Sequence, residues 1–152
     1  MSIWHDDIDS AIVAFVGVAE LAGEIFQPGD VVVEYLDAPH RQPSNLPTGK
    51  MAIYAFWWNE TWLKIGKAGP KSAARYTSQH YNPNSSKSNL AKSLMNDQKM
   101  IKVAGFDVSN PVEWLKGSTC RVNILMSLQR RKELLSLLEA FLHVRLNPRY
   151  EG

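Results

Sequence analysis

Met51-Ala52-Ile53-Tyr54-Ala55-Phe56-Trp57 and Trp62-Leu63-Lys64-Ile65-Gly66 are two apolar, aromatic-rich runs separated by the polar pair Asn59-Glu60. Aromatic and β-branched side chains suit a pleated, partly buried surface, and a short polar gap between two such runs is the pattern of a hairpin. Downstream, Gly69-Pro70 breaks the second strand, and Lys71 to His80 follows as a short helix. Ser88 or Asn89 can cap another helix running to about Met100, and Ser109-Asn110-Pro111 opens a third that Gly117 closes. Cys120, Val122, Ile124 and Met126 alternate with Arg121 and Asn123, the period of a half-buried strand. The last helix runs from about Leu128 to Leu146, with Leu134, Leu138, Phe141 and Leu142 on one face, and Pro148 ends it.

Upstream of the hairpin, the Pro-rich stretch from Ala38 to Gly49 is a connector without periodicity. Val31-Val32-Val33-Glu34-Tyr35 is a short strand candidate, and Ile8, Ile12, Phe15, Val16, Ala19, Ala22 and Phe26 recur at helical spacing before Gln27-Pro28-Gly29-Asp30 stops the run. The expected architecture is α+β, a small three-stranded antiparallel sheet flanked by helices with an extra N-terminal helix. A boundary near Gly49 separates an N-terminal helix, short strand and connector (1–49) from the main domain (50–152). The apolar face of the N-terminal helix must be covered, either by an enlarged core or by a second copy in a homodimer.

The chain has 152 residues, 45% of them hydrophobic, which is enough to bury a core without staples. A formal net charge of +2 permits an anionic partner such as nucleic acid without requiring one. The single cysteine, Cys120, excludes an internal disulfide framework and a thiolate zinc site, in keeping with a reducing cytoplasmic setting. Asp6, Asp7 and Asp9 stand where a secretory signal needs basic residues, and no run approaches the length of a membrane span. Asn82 to Ser88 has the composition of a surface loop. There is no Gly-rich phosphate loop with Lys-Ser/Thr, no Gly-x-Ser-x-Gly elbow and no ligand spacing among His5, His40 and His143, so nucleotide hydrolysis, serine esterase chemistry and a histidine metal site lack support.

Ala52-Ile53-Tyr54, then nine residues, then Lys64-Ile65-Gly66-Lys67-Ala68 resembles the paired tripeptides of the GIY-YIG nuclease family. Arg75 on the following helix and Glu139 on the last helix stand where the family carries its arginine and glutamate. Leu137-Leu138-Glu139 through Pro148-Arg149-Tyr150 is similar to the matching segment of the N-terminal nuclease domain of the bacterial excision-repair endonuclease subunit. The resemblance covers about Met51 to Tyr150. It departs from the family at Ala52 in place of the first glycine, at Lys64 in place of the second motif tyrosine, and at Glu151 where many members have asparagine.

What the resemblance implies is a metal-dependent endonuclease that hydrolyses phosphodiester bonds of DNA, with RNA also open as a substrate. Tyr54 would activate the attacking water, helped by Lys64 and Lys67, and Arg75 would hold the phosphate oxygens. Glu139 would hold one Mg2+ or Mn2+, and Gly66 would let the backbone approach closely. Gln79, His80, Lys71 and Lys87 are candidate nucleic-acid contacts. Each has an ordinary reading beside it: Tyr54 as a core aromatic, Glu139 as a rim carboxylate paired with a lysine, His80 as a surface histidine, Arg75 and the lysines as solvated side chains. Trp57, Trp58 and Trp62 are either base-stacking residues or core. The second functional reading is a nuclease-like module without catalysis, serving nucleic-acid binding or assembly. By analogy a small enzyme of this kind belongs to phage defence or a mobile element.

Overall fold

The structure, a computed structural model, describes residues 3–86 and 88–150. Helix α1 (Ile3–Leu21) leads to strand β1 (Val31–Leu36), and the hairpin consists of β2 (Lys50–Trp58) and β3 (Thr61–Ala68). Short helices α2 (Ala73–Thr77), α3 (Leu90–Met95), α4 (Gln98–Ile101) and α5 (Pro111–Ser118) follow, then β4 (Cys120–Ser127) and α6 (Lys132–Leu146). Asn59 and Glu60 both adopt left-handed backbone (φ 49° and 60°), the geometry that lets a two-residue turn follow the twist of its strands.

The sheet has four strands, not three, in the order β1-β4-β2-β3, all neighbours antiparallel. The added strand is Val31–Leu36, which pairs with β4 from Val31↔Met126 to Leu36↔Arg121. The 1–49 segment thus contributes both a strand and a helix to the same core as the hairpin. The expected helix over Lys71 to His80 is broken into three: a 3-10 turn at Pro70–Ser72, α2, and a second 3-10 turn at Gln79–Tyr81. The break at Ser78, whose backbone leaves helical geometry (φ −134°), swings His80 and Tyr81 toward the sheet.

Both faces of the sheet are covered. On one, Met51, Ile53 and Ala55 of β2 meet Val122, Ile124 and Met126 of β4 beneath α1 and α6, with Trp4, Ile8, Phe15, Leu134, Leu138 and Leu142 fully or nearly fully buried. The apolar face of α1 is covered by the chain's own sheet and α6, while Val13 and Leu21 remain exposed. On the other face Tyr54, Phe56, Leu63 and Leu125 lie under Tyr76, Tyr81, Leu90, Leu94, Trp114 and Leu115. The alternation in β4 therefore does not mark a wet face: Arg121 and Asn123 are buried too, at 0% and 2% exposure. The tryptophans are packing residues, Trp57 stacked on Trp4 at 6.1 Å, Trp58 edge-on to Trp114 at 5.1 Å, and Trp62 donating Nε1–H to Asp7 at 3.3 Å.

The chain end protects the outer edge of β3. Arg149 and Tyr150 donate backbone N–H groups to the carbonyls of Trp62 and Leu63, at the irregular step in the β2–β3 register. Arg149 also pairs with Asp97 at 2.9 Å, and the Tyr150 hydroxyl donates to the same carboxylate. Asp97 caps α4 through the Lys99 N–H, so the clasp joins the last residues to the helical layer. No helix among the described residues is long and apolar enough to cross a membrane.

The burial of α1 predicts a sharp contrast along one helix. Phe15→Ala, at 1% exposure, should lower unfolding free energy by about 3–5 kcal/mol in urea titration. Val13→Ala, at 74% exposure, should change it by less than about 0.5 kcal/mol. Equal, small effects would show that α1 is not part of the core.

Candidate active site

Tyr54 and Gly66 stand directly opposite each other in the β2–β3 ladder. A Cβ built on Gly66 would lie 2.6 Å from Cζ of Tyr54, so the tyrosine ring occupies the space that any other residue at position 66 would fill. The glycine is there for room. The ring is wholly buried, and its hydroxyl lies 2.7 Å from Nε2 of His80.

The His80 tautomer follows from its other nitrogen. Nδ1 accepts the backbone N–H of Leu90 at 3.1 Å and so carries a lone pair. Burial, then the charges of Lys64, Arg75 and Arg121, hold the ring neutral by pushing its pKa down to about 3. A neutral imidazole with a lone pair on Nδ1 bears its proton on Nε2, so His80 donates to the Tyr54 hydroxyl oxygen. Arg75, which can only donate, bears on the same hydroxyl with its charge and its N–H groups. Burial still outweighs these donors and keeps the phenol pKa above its ordinary value, with Arg75 and Arg121 pulling it down and Glu139 adding slightly to the rise.

Arg75 connects this buried pair to open space. It lines a cleft of about 810 Å³ between the end of β3, the turn at Gly69-Pro70 and α6. Lys67, Lys71, Ser72, Lys132, Ser136 and Glu139 share its walls. Lys132, Ser136 and Glu139 are spaced by four and three residues, which aligns them on one face of α6. Lys67 donates to the Ser136 hydroxyl at 2.6 Å, and its Nζ lies 4.0 Å from the Glu139 carboxylate, whose side chain is 26% exposed. That lysine pairing is the ordinary reading of Glu139, at the outer limit of an ion pair. The walls carry four cations, Lys67, Lys71, Arg75 and Lys132, against one carboxylate.

The structure thus brings Lys67, Lys71, Arg75 and Glu139 together around the cleft, with Tyr54 and Gly66 behind Arg75. Lys64 does not line the cleft. It pairs across the sheet with Phe56, is 3% exposed, and acts on His80 through its charge. His80 is not the surface histidine expected but a core residue at 1% exposure, because the 3-10 turn after Ser78 folds it inward. Gln79 is half-buried, its carbonyl held by the Ser85 hydroxyl at 2.7 Å, and it does not line the cleft. Lys87 lies outside the described residues. Sequence reasoning missed Lys132 and Ser136, although their spacing from Glu139 carried the signal. No protein-family model, curated protein or solved structure matches the chain.

Two outcomes follow from this geometry. Between pH 6.5 and about 3 the unfolded chain binds a proton at His80 that the folded chain does not, so stability should fall as pH drops through that window, by about 1.4 kcal/mol per unit. His40, also held down by burial, adds to the same acid limb. His80→Gln should make urea midpoints less pH-dependent between pH 6 and 4, and an unchanged acid slope would contradict the buried neutral histidine. Gly66→Ala should displace the Tyr54 ring and cost about 1–3 kcal/mol of stability by overpacking; a variant as stable as wild type would show that the ring does not fill that space.

Proposed function

We propose that the cleft binds DNA and hydrolyses its phosphodiester bonds, in the manner of a GIY-YIG endonuclease, with RNA as a further possible substrate. The observation that carries this reading is the Tyr54 hydroxyl, an oxygen faced by His80 and Arg75, both of them donors, buried behind the Arg75 wall of a cationic cleft that holds a single carboxylate. Donors converging on an oxygen favour its anionic form, as a group that accepts a proton from water requires. The order of Tyr54, Gly66, Lys67, Arg75 and Glu139 along the chain, matching the nuclease pattern, supports the same reading.

Arg75 offers a planar fork of donors, enough to hold a phosphate oxygen and the Tyr54 hydroxyl together. Lys67, Lys71 and Lys132 supply point charges for the phosphates on either side. Among the described residues no three His, Cys, Asp or Glu side chains gather into a cage. Glu139, partly open to the cleft, suits a hard ion that fills its remaining positions with water and phosphate oxygens, as Mg2+ or Mn2+ does. When bound, such an ion supplies charge to the phosphorus centre and to the departing oxygen. Because burial raises the Tyr54 pKa above 10, the phenolate fraction grows tenfold per pH unit across the neutral range.

Two observations favour a second reading, a nucleic-acid-binding module without turnover: Tyr54 is fully covered, and Lys64, in the position of the second motif tyrosine, is buried and does not line the cleft. Cleavage of plasmid and oligonucleotide DNA with Mg2+ or Mn2+ separates the two. Cutting should be lost with chelator and in Glu139→Ala, should fall about 10²–10³-fold in Arg75→Ala, and should rise with pH from 6 to 9 without a bell near 7. DNA binding without cutting, by protein shown to be folded, would select the module. In either case Lys71→Ala with Lys132→Ala should reduce the salt slope of binding by about two.

A further inference from the structure

Arg121 is fully buried on the central strand β4, and among the described residues it forms no ion pair. Neutral acceptors surround it. Nε donates to Asn123 Oδ1 at 2.8 Å, Nη1 to the Tyr81 hydroxyl at 3.1 Å, and Nη2 to the Tyr76 carbonyl at 2.8 Å. Its guanidinium carbon lies 4.8 Å from the ring centre of Tyr76 and 5.2 Å from those of Tyr54 and Phe56.

The acceptors are themselves fixed. His40 donates Nδ1–H to the Thr119 carbonyl at 2.7 Å, which leaves Nε2 to accept the Tyr81 O–H at 2.8 Å and turns the Tyr81 oxygen lone pairs toward Arg121. Asn123 is held in turn by its Nδ2–H to Glu34 at 3.3 Å. The network gives the guanidinium one orientation.

A buried cation with no carboxylate in direct contact, linked to Glu34 only through Asn123, is costly, and an apolar side chain of similar volume commonly serves stability as well or better. Packing alone therefore does not account for an arginine here. What its position does accomplish is a junction. One fork holds the carbonyl of Tyr76, the residue after Arg75, while the same cation faces the ring of Tyr54. Arg75 on α2 lines the cleft and Tyr54 on β2 lies buried behind it, and Arg121 touches the supports of both.

We propose that Arg121 is a positioning residue for the cleavage reaction, locking the Tyr54 ring and the Arg75-bearing helix into one arrangement beneath the cleft. The inference rests on the phosphodiesterase reading above. Arg121 reaches neither substrate nor metal, so its effect is confined to turnover. Binding depends on Lys71 and Lys132, which stand on the cleft walls away from the buried network.

The test compares wild type with Arg121→Met, which keeps volume without charge, and Arg121→Lys, which keeps charge without the fork. Each is measured for kcat and KM on duplex oligonucleotide with Mg2+, for oligonucleotide binding in chelator, and for its urea midpoint. Folded Arg121→Met should bind within about twofold of wild type while kcat falls about 10²-fold, the scale of a small misplacement of reacting groups, and Arg121→Lys should recover part of that loss. Wild-type kcat in folded Arg121→Met, or binding that weakens in step with kcat, overturns the proposal. Should Arg121→Met not fold, Tyr81→Phe carries the test, since it keeps the ring and removes one acceptor of the guanidinium: a lower kcat at unchanged KM supports the proposal and an unchanged kcat overturns it. A wild type that cleaves nothing overturns the phosphodiesterase reading itself, and that is told apart by the wild-type lane alone.

Discussion

The Tyr54 ring fills the space that a side chain at position 66 would take, and the geometry around the cleft depends on that contact. With Gly66 opposite, the ring can lie across β3 and bring its hydroxyl to His80, which Leu90 holds from behind. The same ring then forms one wall of the aromatic cage around Arg121, and Arg121 in turn holds the end of α2 through the Tyr76 carbonyl. The hairpin, the helix after it and the central strand therefore meet at one phenol. A bulkier residue at 66 would disturb all three, not merely loosen a strand pair.

Electrostatics at this junction pull in opposite directions. Burial favours neutral groups, raising the Tyr54 and Tyr81 pKa values and lowering those of His80 and His40. Arg121 opposes the rise on both tyrosines and adds to the fall on both histidines. The result is a dry layer in which every histidine nitrogen has a defined role as donor or acceptor, lying next to a wetter cleft rich in cations. Arg75 spans the two, lining the cleft while bearing on the buried phenol.

Much of this was legible in the sequence where the signal is local. The hairpin followed from two aromatic runs around Asn59-Glu60, and α6 from the Leu134, Leu138, Leu142 stripe and Pro148. Lys67, Lys71, Arg75 and Glu139, distinct in the sequence pattern, line one cleft. Two of the differences share a cause, since they depend on contacts distant in sequence, and the third is local. Val31–Leu36 reads as a strand, but nothing near it shows that it pairs with β4 about ninety residues later. The alternation of β4 suggested one wet face because a period of two reports pleating, not what covers each side; five short helical segments cover the face bearing Arg121 and Asn123. One helix extended through Ser78 puts His80 on the surface, whereas the backbone turns there and buries it.

The junction between core and cleft is defined by one bond, in which the Tyr54 hydroxyl accepts from a neutral His80 whose proton sits on Nε2. Nitrogen-15 NMR of histidine-labelled protein, with His80 assigned by comparison with His80→Gln, measures this directly. A single tautomer is expected, protonated on Nε2 and bare on Nδ1, unchanged from pH 8 to pH 5. A proton on Nδ1, or an imidazolium already forming near pH 6, would contradict it.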